Sequence, residues 1–494
     1  MNHQGNIFLV VDLGAESGRI IACSFDGERF TQKETLRFPN NPVRSSEELQ
    51  WDVDVLWGHI KNGLTRAAFD YGDSIVSIGV DTWGVDFGLF SNDMLLDNPF
   101  NYRDSRTDNV MESVFEVIPR SEIFKITGVQ FLQFNTLYQL YSMVKAGDFV
   151  LDQAKHLLTI PDIFNFLLTG KKVTEFSNAT TTQCYNPFEG KWAYPLLEKL
   201  GIPVDIFGAI VQPGTIIDSI KQDVTEETGI GLIPVIAPAS HDTGSAVAAI
   251  PMTDRNAAYI SSGTWSLMGV EVDEPNISDD AQKFNFTNEG GVDGTFRLLK
   301  NISGLWLIQE CRRAWEKEGN PYTYRELTEM AEQSQDSGAL IDPADGCFLS
   351  PENMPEAISQ FCRDTEQAIP QSKGDIIHCV LRSLALEYRY VLNQLETLTG
   401  RELKTIHIVG GGSQNRLLNR FAADATGCLV LAGPMEATSL GNAMIQAVSM
   451  GLISSVMEGR SIINLSFPCE RFEPQQNVEW EEMYESFLKL KQGN

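Results

Sequence analysis

The stretch Ser240-His241-Asp242-Thr243-Gly244-Ser245-Ala246 places one carboxylate in a run of small residues. Farther along, Ser261-Ser262-Gly263-Thr264-Trp265-Ser266 forms a Ser/Gly/Thr turn between two apolar runs. The first segment can take a proton, and the second offers backbone and hydroxyl donors to an anion. A base next to an anion-holding loop is what phosphoryl transfer to an alcohol requires. His241 is either a second base or a hydrogen-bonding neighbour of Asp242, and the latter is the commoner role for a histidine in a crowded turn.

Other turns fit the same chemistry. Ile7–Leu13 reads as a buried strand, Gly14-Ala15-Glu16-Ser17-Gly18 as a tight turn, and Arg19–Ser24 as the returning strand. Glycines at 14 and 18 let the backbone turn without Cβ obstruction and aim successive N–H groups at one anion. The same pattern also makes a plain hairpin. Asp12, at the end of the first strand, is suited to holding a metal ion through water. Thr405–Val409 reads as a strand leading into Gly410-Gly411-Gly412-Ser413 and then a helix, so a base or ribose can lie on bare backbone near a helix N-terminus. The spacing is not G-x-G-x-x-G, and no G-x-x-x-x-G-K-[ST] occurs, so the chain lacks the Rossmann and P-loop signatures.

These residues need elements to position them. Ala257–Ser262, Gly263-Thr264 and Trp265–Val270 repeat the strand–turn–strand pattern of Ile7–Ser24, which implies an internal duplication with the two turns facing each other across a cleft. Leu56, Ile60, Leu64, Ala67 and Tyr71 recur at helical spacing, as do Ile377, Leu381, Leu384, Tyr388, Val391 and Leu395. Pro161 and Gly170 bracket another helix. Ile75–Val80 is a short strand entering Asp81-Thr82-Trp83-Gly84-Val85-Asp86, which is either a structural turn or a ligand floor with Trp83 as its apolar face. Tyr102–Arg106 is a salt-bridged loop or a substrate contact. Asn178–Gln183 reads as a loop or an edge strand. Ser439–Met450 is a helix dense in Gly, Ala and Ser, suited to close packing.

At 494 residues the chain calls for two large domains, divided here at 1–250 and 251–494. A net charge of -28 disfavours nucleic acid and anionic membrane as partners. It would also repel a nucleotide, but salt confines that penalty to about 8 Å, within which local N–H donors and Mg²⁺ can offset it. The eight scattered cysteines contain no C-x-x-C pair, so a zinc site is disfavoured and reduced thiols are expected. No apolar run approaches the length of about 20 residues that spans a bilayer, and no signal peptide is visible, so a cytoplasmic protein is expected.

Four segments together, DLGAESGR (12–19), SHDTGSA (240–246), SSGTWS (261–266) and HIVGGGSQN (407–415), resemble the sugar kinases of the actin/hexokinase/Hsp70 fold. More narrowly, the chain resembles the carbohydrate kinases that include glycerol kinase and xylulokinase. DTWGVDFG (81–88), NYRDSRT (101–107), FNTLYQL (134–140), TNEGG (287–291) and LKNISGLWLIQ (299–309) point to the branch acting on L-rhamnulose. The resemblance implies two RNase-H-like α/β domains around a deep interdomain cleft, with the C-terminal tail packing back on the first domain. It implies transfer from ATP, with Mg²⁺, to O1 of the ketose in a monomer or homodimer. Asp242 is then the general base. Ala15, Glu16, Ser17, Gly18, Arg19 and Thr264 hold phosphates, Gln309 and Gly411 lie along the nucleotide, and Gly84, His241, Thr243 and Asn301 line the sugar side. Glu16 stands where relatives often carry a small polar residue, so its contribution there is through backbone. Rival readings are a kinase of L-fuculose or xylulose, or a non-enzymatic ATP-switch module.

Overall fold

The computed structural model describes residues 5–492 except 46, 47, 253, 335, 336, 350, 476 and 477. The chain divides into two compact units. One takes Met1–Pro251, Glu271–Leu298 and Ala437–Ser466, and the other takes Met252–Val270, Leu299–Glu436 and Phe467–Asn494.

The first unit is built on six strands: β1 (Asn6–Leu13), β2 (Ser17–Phe25), β3 (Phe30–Pro39), β4 (Ile75–Thr82), β5 (Ile216–Ser219) and β6 (Pro234–Ile236), in the order β5-β6-β4-β1-β2-β3. β1, β2 and β3 form an antiparallel meander, whereas β4 runs parallel to β1 and β6 parallel to β4. Every residue of β1 after Asn6 is buried, as expected for a strand covered on both faces. The helix Val53–Tyr71 covers one face with Leu56, Ile60, Leu64, Ala67 and Tyr71, the stripe read from the sequence. It starts where the Asp52 carboxylate accepts the Val55 N–H. Ile160–Thr169 begins with Pro161 near its start and stops at left-handed Gly170, also as expected.

The helix Ala437–Ser449 returns to this unit from far along the chain. Its small residues let it approach closely, and a Cβ on Gly441 would lie 1.8 Å from the Ser245 carbonyl oxygen in the helix Asp242–Ala248. Asn442 and Gln446, on the same helix, fill the space left by Gly79 on β4, where a Cβ would sit 2.4 Å from Asn442 Oδ1.

The second unit carries β7 (Ala257–Ser262), β8 (Trp265–Val272) as far as Val270, β9 (Phe296–Ser303) from Leu299 onward, β10 (Thr405–Val409), β11 (Leu429–Ala432) and β12 (Glu470–Phe472), in the order β9-β8-β7-β10-β11-β12. β7 pairs antiparallel with β8 and parallel with β10, the arrangement β1 has with β2 and β4. The duplication read from two turns thus extends to whole sheets. The long helix Lys373–Thr399 buries all six residues of its predicted stripe. The terminal helix Val478–Gln492, expected on the first domain, belongs to this second unit instead. It buries Trp480, Tyr484 and Phe487, and its Tyr484 hydroxyl accepts from Asn393 at 2.9 Å. The segment that joins the first unit is the preceding one, Ala437–Ser466.

Two local expectations change. Residues 178–183 are neither loop nor edge strand: Phe176–Ala179 is a short helix and Thr180–Thr182 a 3₁₀ turn, all buried, with each Thr hydroxyl donating to a carbonyl three residues back. Such hydroxyls satisfy themselves locally, which lets a polar run enter the interior. Gly14 and Gly18 do not supply left-handed turns, since neither has positive φ. Gly18 sits on β2, where a Cβ would strike the Phe38 ring at 2.3 Å.

The helix contact gives a test. Gly441→Ala should cost about 2 kcal/mol or more, because backbone must move to admit the methyl group. Gly58→Ala, whose Cβ meets open space in the helix Val53–Tyr71, should gain up to about 1 kcal/mol. Urea unfolding midpoints measure both, and equal effects would mean the close approach carries no energy.

Candidate active site

Parallel pairing sets the first part of the site. Asp12 and Asp81 are register partners near the C-terminal ends of β1 and β4. Thr82 N–H donates to the Ser240 carbonyl at 2.9 Å and bridges in parallel to His241, so Asp242 follows beside them at the head of its helix. Three carboxylates from distant parts of the chain thereby meet in one field. Ligands of open α/β sheets gather at this edge, outside the carboxyl ends of the strands.

The surroundings handle that charge unequally. Arg19 pairs with Asp12 directly across the hairpin. Asp81 is fully buried, accepts from Asn442 Nδ2 at 2.5 Å, and leaves its Oδ1 without a partner. A buried ladder supports Asn442: Gln446 Nε2 donates to Asn442 Oδ1 at 2.7 Å and to the Leu9 carbonyl at 3.0 Å, while Ser77 donates to Gln446 Oε1 at 2.6 Å. Burial and then the Asp12 charge hold the Asp81 carboxyl well above the usual range. Asp242 is also raised, first by burial and also by Asp12, with His241 opposing. Its side chain nonetheless keeps 32% exposure, so it can meet a ligand. Its Oδ1 accepts from the Thr243 N–H at 2.5 Å and hydroxyl at 3.1 Å.

The backbone leading to Asp242 is held by residues that carried no assigned role in the sequence. The buried Glu175 carboxylate accepts the Ser240 N–H at 2.9 Å, and Ser177 Oγ accepts the His241 N–H at 3.0 Å. Glu289 and Arg297 flank the His241 ring. Glu289 lies within TNEGG, a segment already singled out, whereas Glu175 lies three residues before the polar run 178–183 and outside any such segment.

The loop after β4 is a built structure. Asp86 accepts from Trp51 Nε1 at 2.7 Å, Trp83 Nε1 at 2.9 Å, Gln139 Nε2 at 3.0 Å and the Tyr102 N–H at 3.2 Å. Trp83 is therefore no open floor: it is buried, with Trp51 at 4.3 Å between centroids. Val85 has φ 68°, an outlier for a β-branched residue, and is fixed by the Thr181 hydroxyl accepting its N–H and the Thr136 hydroxyl donating to its carbonyl. Gly84 faces Thr181, with room for no Cβ. Arg106 turns inward to Gln139 and stacks over Phe100, while Asp104 accepts the Arg106 N–H.

In the second unit, Gln309 Nε2 donates to Thr264 Oγ1 at 3.2 Å, which unites two predicted nucleotide residues. The turn at Gly263-Thr264 is clamped from Gly304 onward by Leu305 and Trp306 N–H groups. Gly410 and Gly412 pack on Ser262, where a Cβ would stand 2.8 Å and 1.9 Å away, whereas Gly411 faces open space. Gln309 Oε1 is buried without a partner. Asn301 lies on β9 in this unit, half-buried. Ala15 and Glu16 form the first-unit turn, and Ser17, Gly18 and Arg19 already belong to β2. Among the described residues no cluster of three or more His, Cys, Asp or Glu is arranged to hold a metal directly, and no helix is long and apolar enough to cross a membrane.

The N-terminal domain model of the FGGY carbohydrate kinases matches residues 7–249, and the C-terminal domain model matches 258–450. The chain belongs to the FGGY family of carbohydrate kinases. As a kinase of this family it resembles a rhamnulokinase from Bacteroides thetaiotaomicron, 46% identical over 481 residues, covering 97% of this chain and 98% of the relative. A rhamnulokinase from Oceanobacillus iheyensis is 43% identical over 93% of this chain and 96% of its own length. Among solved structures, a xylulose kinase from Lactobacillus acidophilus superposes with TM-score 0.81 at 16% identity, covering 99% of this chain and 98% of that one. Glycerol kinase from Plasmodium falciparum gives 0.77 at 15% identity, covering 99% and 98%. The fold is thus the two-domain, actin-like kinase fold expected from the sequence.

The electrostatics of this kinase make one test available. In the acid range, where an ordinary imidazole is charged, His241 opposes the rise at Asp242, so His241→Asn should raise the Asp242 pKa further there. A base must be ionised, so the acid limb of kcat/KM for sugar phosphorylation should move to higher pH in that variant. A limb that stays in place or moves to lower pH would show that the His241 charge does not act on Asp242.

Proposed function

We propose that this kinase transfers the terminal phosphoryl group of ATP to O1 of L-rhamnulose, giving L-rhamnulose 1-phosphate and ADP. The observation that carries the chemistry is Asp242: partly exposed, raised in basicity, and set at the head of a helix beside two further carboxylates. The near full-length similarity to rhamnulokinases supports the substrate.

An alcohol is a poor nucleophile at neutral pH. Asp242 accepts the O1 proton as the O1–phosphorus bond forms and the bond from phosphorus to the β–γ bridging oxygen breaks. Raised above the ordinary carboxylate range, first by burial, it is a stronger base than a free aspartate. Gly84, His241 and Thr243 bind the sugar with Asn301. Backbone at Ala15, Glu16, Ser17 and Gly18, the Arg19 side chain and Thr264 hold phosphate, and Gln309 and Gly411 hold the base and ribose.

The residues fit these ligands. The unpartnered, buried Gln309 Oε1 suits a nucleotide donor, and the open face at Gly411 leaves the backbone bare. Asp12, which lies in register with Asp81 and its unsatisfied Oδ1, would hold a hard cation through water, as suits Mg²⁺, which keeps most of its waters. When bound, Mg²⁺ neutralises charge on the transferred phosphoryl group.

Asp242→Asn should keep sugar affinity within a few-fold while kcat falls by about 10³-fold or more. Calorimetry and ADP release measure the two, and near-normal turnover would remove Asp242 from the role of base. In a ketose panel, L-rhamnulose should give the highest kcat/KM. A higher value for L-fuculose or xylulose would reassign the substrate, and nucleotide binding without transfer to any sugar would point to a switch module.

A further inference from the structure

The acidic and basic groups behind His241 have no part in the mechanism above, yet they are among the most buried charges of the first unit. Arg297 is 0% exposed in its side chain and Glu289 6%. Arg297 Nη2 lies 3.0 Å from Glu289 Oε2, and Nε donates to the Gly290 carbonyl at 2.9 Å. Glu289 Oε2 lies 3.1 Å from His241 Nδ1, and His241 Nε2 lies 3.5 Å from Asp242 Oδ1. The strand Thr287–Gly290 that presents Glu289 is tied down in turn: Gly290 N–H donates to Thr180 Oγ1 at 2.7 Å, and a Cβ on Gly290 would strike the Phe176 ring at 2.5 Å.

Burying an ion pair is a weak way to gain stability, since a well-packed apolar pair does as well or better. What this pair does that an apolar pair does not is orient a histidine. A carboxylate oxygen only accepts and a guanidinium nitrogen only donates. Arg297 Nη2 is also 3.3 Å from His241 Nδ1. Were Nδ1 to accept from it, its lone pair would face the Glu289 oxygen at the shorter distance of 3.1 Å. With Nδ1 protonated, the ring donates to Glu289, and Arg297 compensates the carboxylate. Consistent with that, the Glu289 carboxyl lies below its usual range: burial would raise it, but the Arg297 charge and the hydrogen bonds from His241 and Arg297 outweigh burial.

We propose that Glu289 and Arg297 are positioning residues that hold His241 with its proton on Nδ1, so that Nε2 and the Asp242 carboxylate present two adjacent acceptors to two neighbouring hydroxyls of the sugar. One hydroxyl is the nucleophile, facing Asp242, and the other donates to Nε2. The pair therefore selects for a polyhydroxylated acceptor over a simple alcohol. The inference rests on reading the Asp242 segment as the sugar side.

The test separates the two claims. The full-length protein has six histidines, few enough for ring ¹⁵N spectra after uniform ¹⁵N-histidine labelling, with His241 assigned through His241→Asn. At about pH 8, where an ordinary imidazole is neutral, His241 should show a protonated Nδ1 and a bare Nε2. Glu289→Gln, close in shape, should lose that tautomer preference. Its KM for ketose should rise by up to about tenfold, as for loss of one hydrogen bond, while its KM for ATP moves less than about twofold. Glu289→Asp should recover part of both. A wild-type ring protonated at Nε2, or on both nitrogens, would overturn the proposal, as would equal changes in the two KM values. The spectra need no turnover, so they judge the tautomer even if no ketose is phosphorylated. Should Glu289→Gln fail to fold, the wild-type spectrum alone decides.

Discussion

The parallel pairing of β1 with β4 is the constraint on which the site depends. Strands that run in register end together, so Asp12 and Asp81 cannot avoid each other. The Thr82 to Ser240 bond then adds Asp242 to the same edge. Three carboxylates in one place repel, and the repulsion persists only because the surroundings are arranged to hold it. Arg19 neutralises Asp12, Asn442 donates to Asp81, and Glu175 with Ser177 locks the chain before Asp242. The result is an Asp242 carboxyl held above its ordinary range, first by burial and also by the Asp12 charge, on a side chain that still keeps 32% exposure.

The two sheets solve the same topological problem with different local chemistry. Both place a hairpin beside a parallel strand. In the first unit the hairpin turn needs no left-handed glycine, and Gly18 serves packing against Phe38. In the second, Gly410 and Gly412 let one loop press onto Ser262, while Gly411 between them faces open space. A glycine read in sequence as a sign of turning was in one case a sign of crowding. The two uses look alike until the neighbour that fills the missing side chain is known.

Much of the fold was legible because it is local. The stripes of Val53–Tyr71 and Lys373–Thr399, the bracketing of Ile160–Thr169 by Pro161 and Gly170, and the repeated strand–turn–strand units depend on spacing within a few turns of chain. Asp242 stood out because a lone acid among small residues is unusual. What escaped was non-local. Asn442 reaches Asp81, and Glu289 reaches His241, across separations that no periodicity encodes. The segment of Trp83 could be read as a ligand floor as well as a structural turn, because nothing in it shows that Trp51 already covers the ring. The run 178–183 looked external because its polarity is visible and its self-satisfied hydroxyls are not.

The helix Ala437–Ser449 lies nearly two hundred residues beyond the main body of the unit it completes. Until it arrives, the hollow at Gly79, the Ser77 hydroxyl and the Leu9 carbonyl have no cover, and Asp81 lacks its amide. A ribosome therefore finishes most of the second unit before the first can close. The order of synthesis and the order of completion run opposite ways, and the edge that carries Asp81 is among the last parts of the nascent chain to settle.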